Sequence, residues 1–144
     1  MEYVAKLARE GRYTLIEFPD CEGCQTFSDP EEGEDAASVA REALEGWLVA
    51  HLVDGEAPPP PIKRASAGRG ELAVRVSPSL AIALQVRWRR QALGLSQAQL
   101  GKRLGVTRQQ AAALEDPAGN LRVSTLERIA DALALELDVD LHPA

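Results

Sequence analysis

Arg108-Gln109-Gln110 follows directly on Thr107, and these side chains carry the donor and acceptor pairs that read DNA base edges. Gln pairs bidentately with adenine and Arg with guanine in the major groove. Thr107-x-x-Gln110 is also a capping box: the threonine oxygen accepts from the third helical N–H, and the glutamine reaches back to the threonine N–H. Ser96-x-x-Gln99 repeats the pattern eleven residues earlier, and Ser124-x-x-Glu127 repeats it again further on. Three helix starts are therefore expected. Leu100 and Leu104 lie between the first two boxes, with Gly105-Val106 at the break. A short helix, a tight turn and a second short helix put a helix into the DNA major groove.

Other residue types that could do chemistry are sparse. Cys21-x-x-Cys24 has zinc-knuckle spacing but supplies half a ligand set, and neither His51 nor His142 is positioned to complete it. A turn with a buried thiol, a metal shared across a dimer and a redox pair all stay open. A metal-dependent nuclease needs several converging carboxylates, and the strands here offer little besides Glu17. The expectation is a binding protein, not an enzyme, with no cofactor and no resident metal.

The elements that must position these groups divide the chain in two. Tyr3 to Ala8 and Tyr13 to Phe18 read as strands joined through Glu10-Gly11, and Pro19-Asp20 stops the second. Cys24 to Phe27 reads as a short third strand before an acidic loop at 28–35. From about Asp35 to Asp54, Ala36, Ala40, Ala43, Leu44, Trp47, Leu48 and Leu52 recur at helical spacing, with Gly55 as the C′ residue. Pro58 to Pro61 must be extended, and a mobile-looking stretch runs from Ala65 to Gly70. Leu72, Val74 and Val76 alternate as a half-buried strand. The order is β-β-β-α-β, and the boundary is placed at Ser77-Pro78, giving domains 1–76 and 78–144.

The second domain is expected to be all helix. Its first helix spans about Ser79 to Leu93, with Leu80, Leu84 and Trp88 on one face and Gly94 ending it. Helices at 96–104 and 107–115 follow. Leu126, Ile129, Ala130, Leu133 and Leu137 form the apolar stripe of the last one.

Charge separates along the chain in the same way. The net charge is −6, but residues 1–65 carry six Lys/Arg against fourteen Asp/Glu, a net −8. Residues 78–114 carry Arg87, Arg89, Arg90, Lys102, Arg103 and Arg108 with no acid. Phosphate binding needs local positive charge, not a basic average. The acidic front half would be repelled by nucleic acid and is expected to meet something else. No apolar run approaches the roughly 20 residues of a membrane helix, and the N-terminus lacks signal-peptide order, so a cytoplasmic location is expected.

Residues 95–110, Leu-Ser-Gln-Ala-Gln-Leu-Gly-Lys-Arg-Leu-Gly-Val-Thr-Arg-Gln-Gln, resemble the repressor-type helix-turn-helix of the Cro and phage-repressor class. The likeness extends through Leu114-Glu115 and Leu126 to Leu133. It implies a phosphate contact for Gln97, a recognition helix opening with Thr107, Arg108, Gln109 and Gln110, and close approach of Ala113 to a thymine methyl. Ser96 and Arg103 complete the implied DNA-binding set. Ala111 and Leu114 would face the core. Gly101 stands where that class usually has Ala, which should weaken its helix by about 1 kcal/mol.

Phe18-Pro19-Asp20-Cys21-Glu22-Gly23-Cys24-Gln25-Thr26, the acidic loop, and a helix containing Ala40-Arg41-Glu42-Ala43-Leu44 resemble the HicB antitoxins. That likeness implies a partial ribonuclease-H-like front domain, followed by an all-α, five-helix helix-turn-helix domain, in an α+β chain. It implies a HicA-like RNA-cleaving toxin as partner, with Phe18, Asp20, Glu22, Asp29, Glu31 and Glu32 as contacts. Operator DNA would be the second partner, bound by a homodimer or larger homo-oligomer in autorepression. A metabolite-responsive repressor without a toxin is the alternative.

Overall fold

The computed structural model describes residues 1–62 and 67–143. Ala65 and Ser66 of the expected mobile stretch lie outside the described residues. The chain divides into two compact units, residues 1–81 and 82–144. No helix among the described residues is long and apolar enough to cross a membrane.

The first unit is a four-stranded antiparallel sheet with one helix on it. The strands are β1 (Glu2–Glu10), β2 (Tyr13–Glu17), β3 (Gln25–Ser28) and β4 (Glu71–Arg75), in the order β3-β2-β1-β4. β1 and β2 are joined by a two-residue loop in which Gly11 has φ +63°, a conformation that costs glycine nothing. Helix α1 (Ala36–Val53) lies between β3 and β4 in sequence. Asp35 caps it, accepting from the Ser38 N–H at 3.1 Å and the Ser38 hydroxyl at 2.9 Å. Those bonds favour the charged form, and they hold the Asp35 carboxyl below its usual range.

Period two in the strands and period 3.6 in α1 meet in one core. Tyr3, Ala5, Ile16 and Val74 from the sheet are buried, as are Ala40, Leu44, Leu48 and Leu52 from α1. Phe18, Cys21 and Cys24 belong to the same buried set. Pro58 is buried, and Pro59 accepts a hydrogen bond from the Tyr3 hydroxyl at 2.9 Å. This ties the proline run to β1.

The second unit holds four helices among its described residues: α2 (Pro78–Ala92, which begins in the first unit), α3 (Gln97–Leu104), α4 (Arg108–Ala113) and α5 (Val123–Leu133). The expected count of five is corrected to four. Asp116 to Gly119 forms a tight turn, with Ala118 N–H donating to the Asp116 carboxylate at 2.9 Å. After α5 the described residues form no further helix or strand. Val86, Leu100, Ala111, Leu114, Ile129 and Leu133 form the core, with Ile82, Leu95, Leu104, Val106, Leu121 and Leu126 packed against it.

Two expectations at α5 are also corrected. The helix begins one residue before Ser124, at Val123, and its N-cap Arg122 makes no side-chain cap bond. Ser124 is thus inside the first turn and the third capping box is not formed. At the other end Ala134 takes φ +51°, and the helix stops at Leu133. Leu137 therefore falls beyond the stripe it was assigned to.

Candidate nucleic-acid interface

The turn between α3 and α4 is built by two reciprocal caps. Ser96 Oγ accepts from Gln99 N–H at 3.1 Å, and Gln99 Oε1 accepts from Ser96 N–H at 2.8 Å. Thr107 Oγ1 accepts from Gln110 N–H at 3.1 Å, and Gln110 Oε1 accepts from Thr107 N–H at 3.0 Å. Each box satisfies two orphan donors at its helix start. Gly105, at φ +69°, makes the break, and Val106 N–H returns to the Gly101 carbonyl at 2.9 Å. A Cβ at Gly101 would lie 2.9 Å from the Val106 oxygen and 3.0 Å from the Thr107 oxygen. Gly101 is therefore more than a weak helix former: it leaves room for the backbone of the turn.

This frame fixes which side chains reach out. Ala111 and Leu114 are buried, as expected, and Arg108, Gln109 and Ala113 are exposed on α4. Gln110 is exposed too, but its oxygen is committed to the cap and leaves the amide NH₂ to contact a base. Ser96, Lys102 and Arg103 are exposed around α3. Arg103 Nη1 reaches the Ala132 carbonyl at 3.4 Å, a long bond that a phosphate could displace. Gln97 is half-buried, and its Nε2 lies 3.4 Å from Glu115.

Half of the expected basic stripe points elsewhere. Arg87 and Arg90 are 5% and 8% exposed, and both pair with Glu115, which is 4% exposed. Arg90 Nη2 donates to Glu115 at 3.1 Å and Arg90 Nη1 to the Leu95 carbonyl at 2.7 Å. Burial alone would raise the Glu115 pKa. Hydrogen bonds from Arg90 and Arg87 outweigh it and hold the carboxyl below its usual range. Arg89 donates to the Leu133 carbonyl at 2.8 Å and the Ala134 carbonyl at 3.3 Å, closing the C-terminus of α5. These three arginines build the unit rather than face a phosphate. For Arg87 and Arg90 the signal in the sequence is their i, i+3 spacing on α2 together with Glu115, the first acid after the basic stretch.

With four helices around a capped turn in place, comparison with known families decides the class. Residues 86–139 match the helix-turn-helix family model. α3 and α4 are consecutive short helices within that stretch, an arrangement found in DNA-binding transcriptional regulators. No curated protein matches the chain.

The first unit distributes its expected contact residues unevenly. Phe18 is 1% exposed and is a core side chain, so it offers a partner no surface. Asp29 is 5% exposed. It caps a short 3-10 turn at Pro30–Glu32, accepting from Glu31 N–H at 3.0 Å, and pairs with Arg12 at 2.5 Å. Its role in this structure is to order the acidic loop. Asp20 is half-buried and accepts from Ile62 N–H at 3.1 Å. Glu22, Glu31 and Glu32 are exposed, with Glu31 also 3.4 Å from Arg12. Cys21 and Cys24 are buried free thiols in a turn closed by Cys24 N–H to the Cys21 carbonyl at 2.9 Å. Desolvation pushes them up to about 12 and about 11, which keeps them protonated. Among the described residues no group of three or more His, Cys, Asp or Glu is arranged to hold a metal ion.

Proposed function

We propose that this chain is an antitoxin that represses its own operon. The helix-turn-helix unit binds operator DNA, and the acidic unit captures a small basic ribonuclease toxin of the HicA kind. The observation that carries the DNA half is the first turn of α4, where Arg108 and Gln109 stand exposed on a helix start fixed by the Thr107–Gln110 box. Arg108 reads guanine, Gln109 reads adenine, and Lys102, Arg103 and the N-terminus of α3 hold phosphates. Repressors built this way bind paired half-sites about 34 Å apart, so the working form is a homodimer or larger.

The toxin half rests on the likeness to HicB antitoxins in residues 18–26 and 40–44, and on charge. Its β-β-β-α-β order suits their partial ribonuclease-H-like fold. Glu22, Glu31 and Glu32 offer exposed carboxylates where an RNA-binding surface expects phosphates. The chain acts by binding, without catalysis of its own.

Co-purification of the C-terminally tagged chain from its native host tests the pair of roles. A stoichiometric small basic partner that arrests growth when expressed alone establishes the antitoxin. A homo-oligomer without partner, still shifting upstream DNA, moves the reading to a metabolite-responsive repressor.

A further inference from the structure

Two exposed aromatic side chains stand together on the sheet face opposite the core. The strand register sorts the two faces. Tyr3, Ala5 and Ile16 are buried on the side that shares its core with α1. On the other side Ala8 pairs with Leu15, Leu15 with Phe27, and Glu10 with Tyr13. Tyr13 is 42% exposed and Phe27 is 49% exposed. Their ring centroids lie 6.5 Å apart at 76°, an edge-to-face pair across neighbouring strands. Ala8 is exposed and Leu15 is half-buried beside them. Val4, further along the same face, is buried, so the open part is the end at the β1–β2 hairpin. A single exposed aromatic needs no explanation, but four adjoining apolar side chains on three strands form a patch.

Carboxylates surround this patch. Glu10 lies opposite Tyr13, and Glu17 is two residues beyond Leu15 on the same face; both are exposed. Arg12 shows how such a surface holds a cation. Its guanidinium carbon lies 4.9 Å from the centre of the Tyr13 ring, and the same group pairs with Asp29 at 2.5 Å and Glu31 at 3.4 Å. A guanidinium over a ring, with carboxylates at its edge, suits arginine better than any other side chain. Phe27 has Glu17 as its diagonal neighbour across β2 and β3. Ring and carboxylate there offer the same parts to a second guanidinium.

Resting on the toxin-capture reading above, we infer that the hairpin end of this open sheet face is where the basic partner docks. Tyr13, Leu15 and Phe27 form the apolar centre of the surface, and Glu10, Glu17 and Glu31 form its acidic rim. An arginine of the partner stacks on Phe27. Aromatic side chains inside a polar rim are the common anatomy of a protein interface. The choice of a basic protein comes from charge. A second copy of this chain would set the same carboxylates against these, in a stretch, residues 1–65, that carries a net −8. Nucleic acid would meet the same repulsion. Phe18, the aromatic that the sequence offered as a contact, is in the core, and Phe27 takes its place at the surface.

The test is an NMR titration of the isotope-labelled full chain with a defined probe, an acetylated peptide repeating Arg-Leu-Arg-Gly, at physiological salt. Amide shifts are expected at Tyr13, Leu15 and Phe27. Tyr13→Ser with Phe27→Ser is expected to lower the affinity about tenfold, while Phe27→Tyr keeps it. Glu10→Lys with Glu17→Lys leaves the rings in place and is expected to weaken binding about as much. Melting temperatures separate lost binding from lost folding, and the Lys pair carries the test if the Ser pair does not fold. Shifts confined to the acidic loop, or an affinity indifferent to these variants, overturn the proposal. So does self-association that Phe27→Ser abolishes, which makes a second copy the occupant. Co-purification from the native host keeps the two readings apart. A basic partner recovered equally by wild type and by the Ser pair overturns this face and upholds the antitoxin. Peptide bound on the face, with no partner recovered, overturns the antitoxin and upholds a docking face for another basic protein.

Discussion

Arg90 and Glu115 are 25 positions apart in sequence, and Arg90 Nη2 donates to the Glu115 carboxylate at 3.1 Å inside the helix-turn-helix unit. Glu115 sits just past the C-terminus of α4, so this bond, with its Arg87 counterpart, ties the end of α4 to α2. The same carboxylate lies 3.4 Å from Gln97 Nε2 at the start of α3. One buried acid thus touches the flank of every element of the DNA-reading frame.

Removing that acid leaves two arginines buried without a counter-charge. Glu115→Ala should cost about 3–5 kcal/mol. Urea denaturation followed by circular dichroism measures it, and a loss below about 1 kcal/mol would count against a structural triad.

The same carboxylate predicts a pH dependence. Its folded pKa lies below the unfolded value, so its contribution is present above the unfolded pKa, near 4.3, and is lost as pH falls through the lower folded pKa. The difference in stability between wild type and Glu115→Gln should therefore be constant near neutrality and shrink in acid, below about pH 4. Melting curves from pH 3 to 7 read it directly.

Recognition and stability should separate on neighbouring residues. Arg108→Ala and Gln109→Ala touch exposed side chains, and each should lower affinity for a cognate operator by about 1–3 kcal/mol with an unchanged melting temperature. Lys102→Ala should weaken binding to all sequences alike and flatten the salt dependence by about one charge. Fluorescence anisotropy at several salt concentrations distinguishes them. Equal losses on cognate and random DNA for all three would sink the assignment of α4.

Gly101 gives a steric prediction. Gly101→Ala gains about 1 kcal/mol of helix propensity and spends it against the 2.9 Å approach of the Val106 oxygen. Gly101→Val adds β-branched bulk to the same gap and should lower the melting temperature and abolish DNA binding together. A stable, DNA-binding Val variant would show that the turn can open.

Ser28 offers the opposite sign. Its side-chain oxygen is buried with no hydrogen-bond partner among the described residues. An unmet buried hydroxyl costs about 1–3 kcal/mol, so Ser28→Ala should stabilise the first unit by a measurable part of that. A lower melting temperature for the Ala variant would mean that the hydroxyl is satisfied in solution.

The sequence by itself determined the elements, because their signals are local. Period two in β1 and β2, period 3.6 in α1 and the boxes at Ser96 and Thr107 each lie within a few residues, and each is found where it was read. The exposed reading side chains of α4 follow from the same box, since Ala111 and Leu114 turn inward and Arg108 and Gln109 cannot. Tertiary structure decided what each charge does. Arg87, Arg89 and Arg90 read as a phosphate stripe along the chain, but the packing of α2 faces them with Glu115 and with the carbonyl end of α5, partners 25 to 45 residues away. Phe18 and Asp29 changed from surface to core and loop-ordering roles for the same reason: burial depends on what other segments cover, and no local pattern records that. The third box is not formed because α5 starts at Val123, a residue too early for Ser124 to cap. Local periodicity fixes which elements form, and long-range packing fixes which polar groups are left to meet a partner.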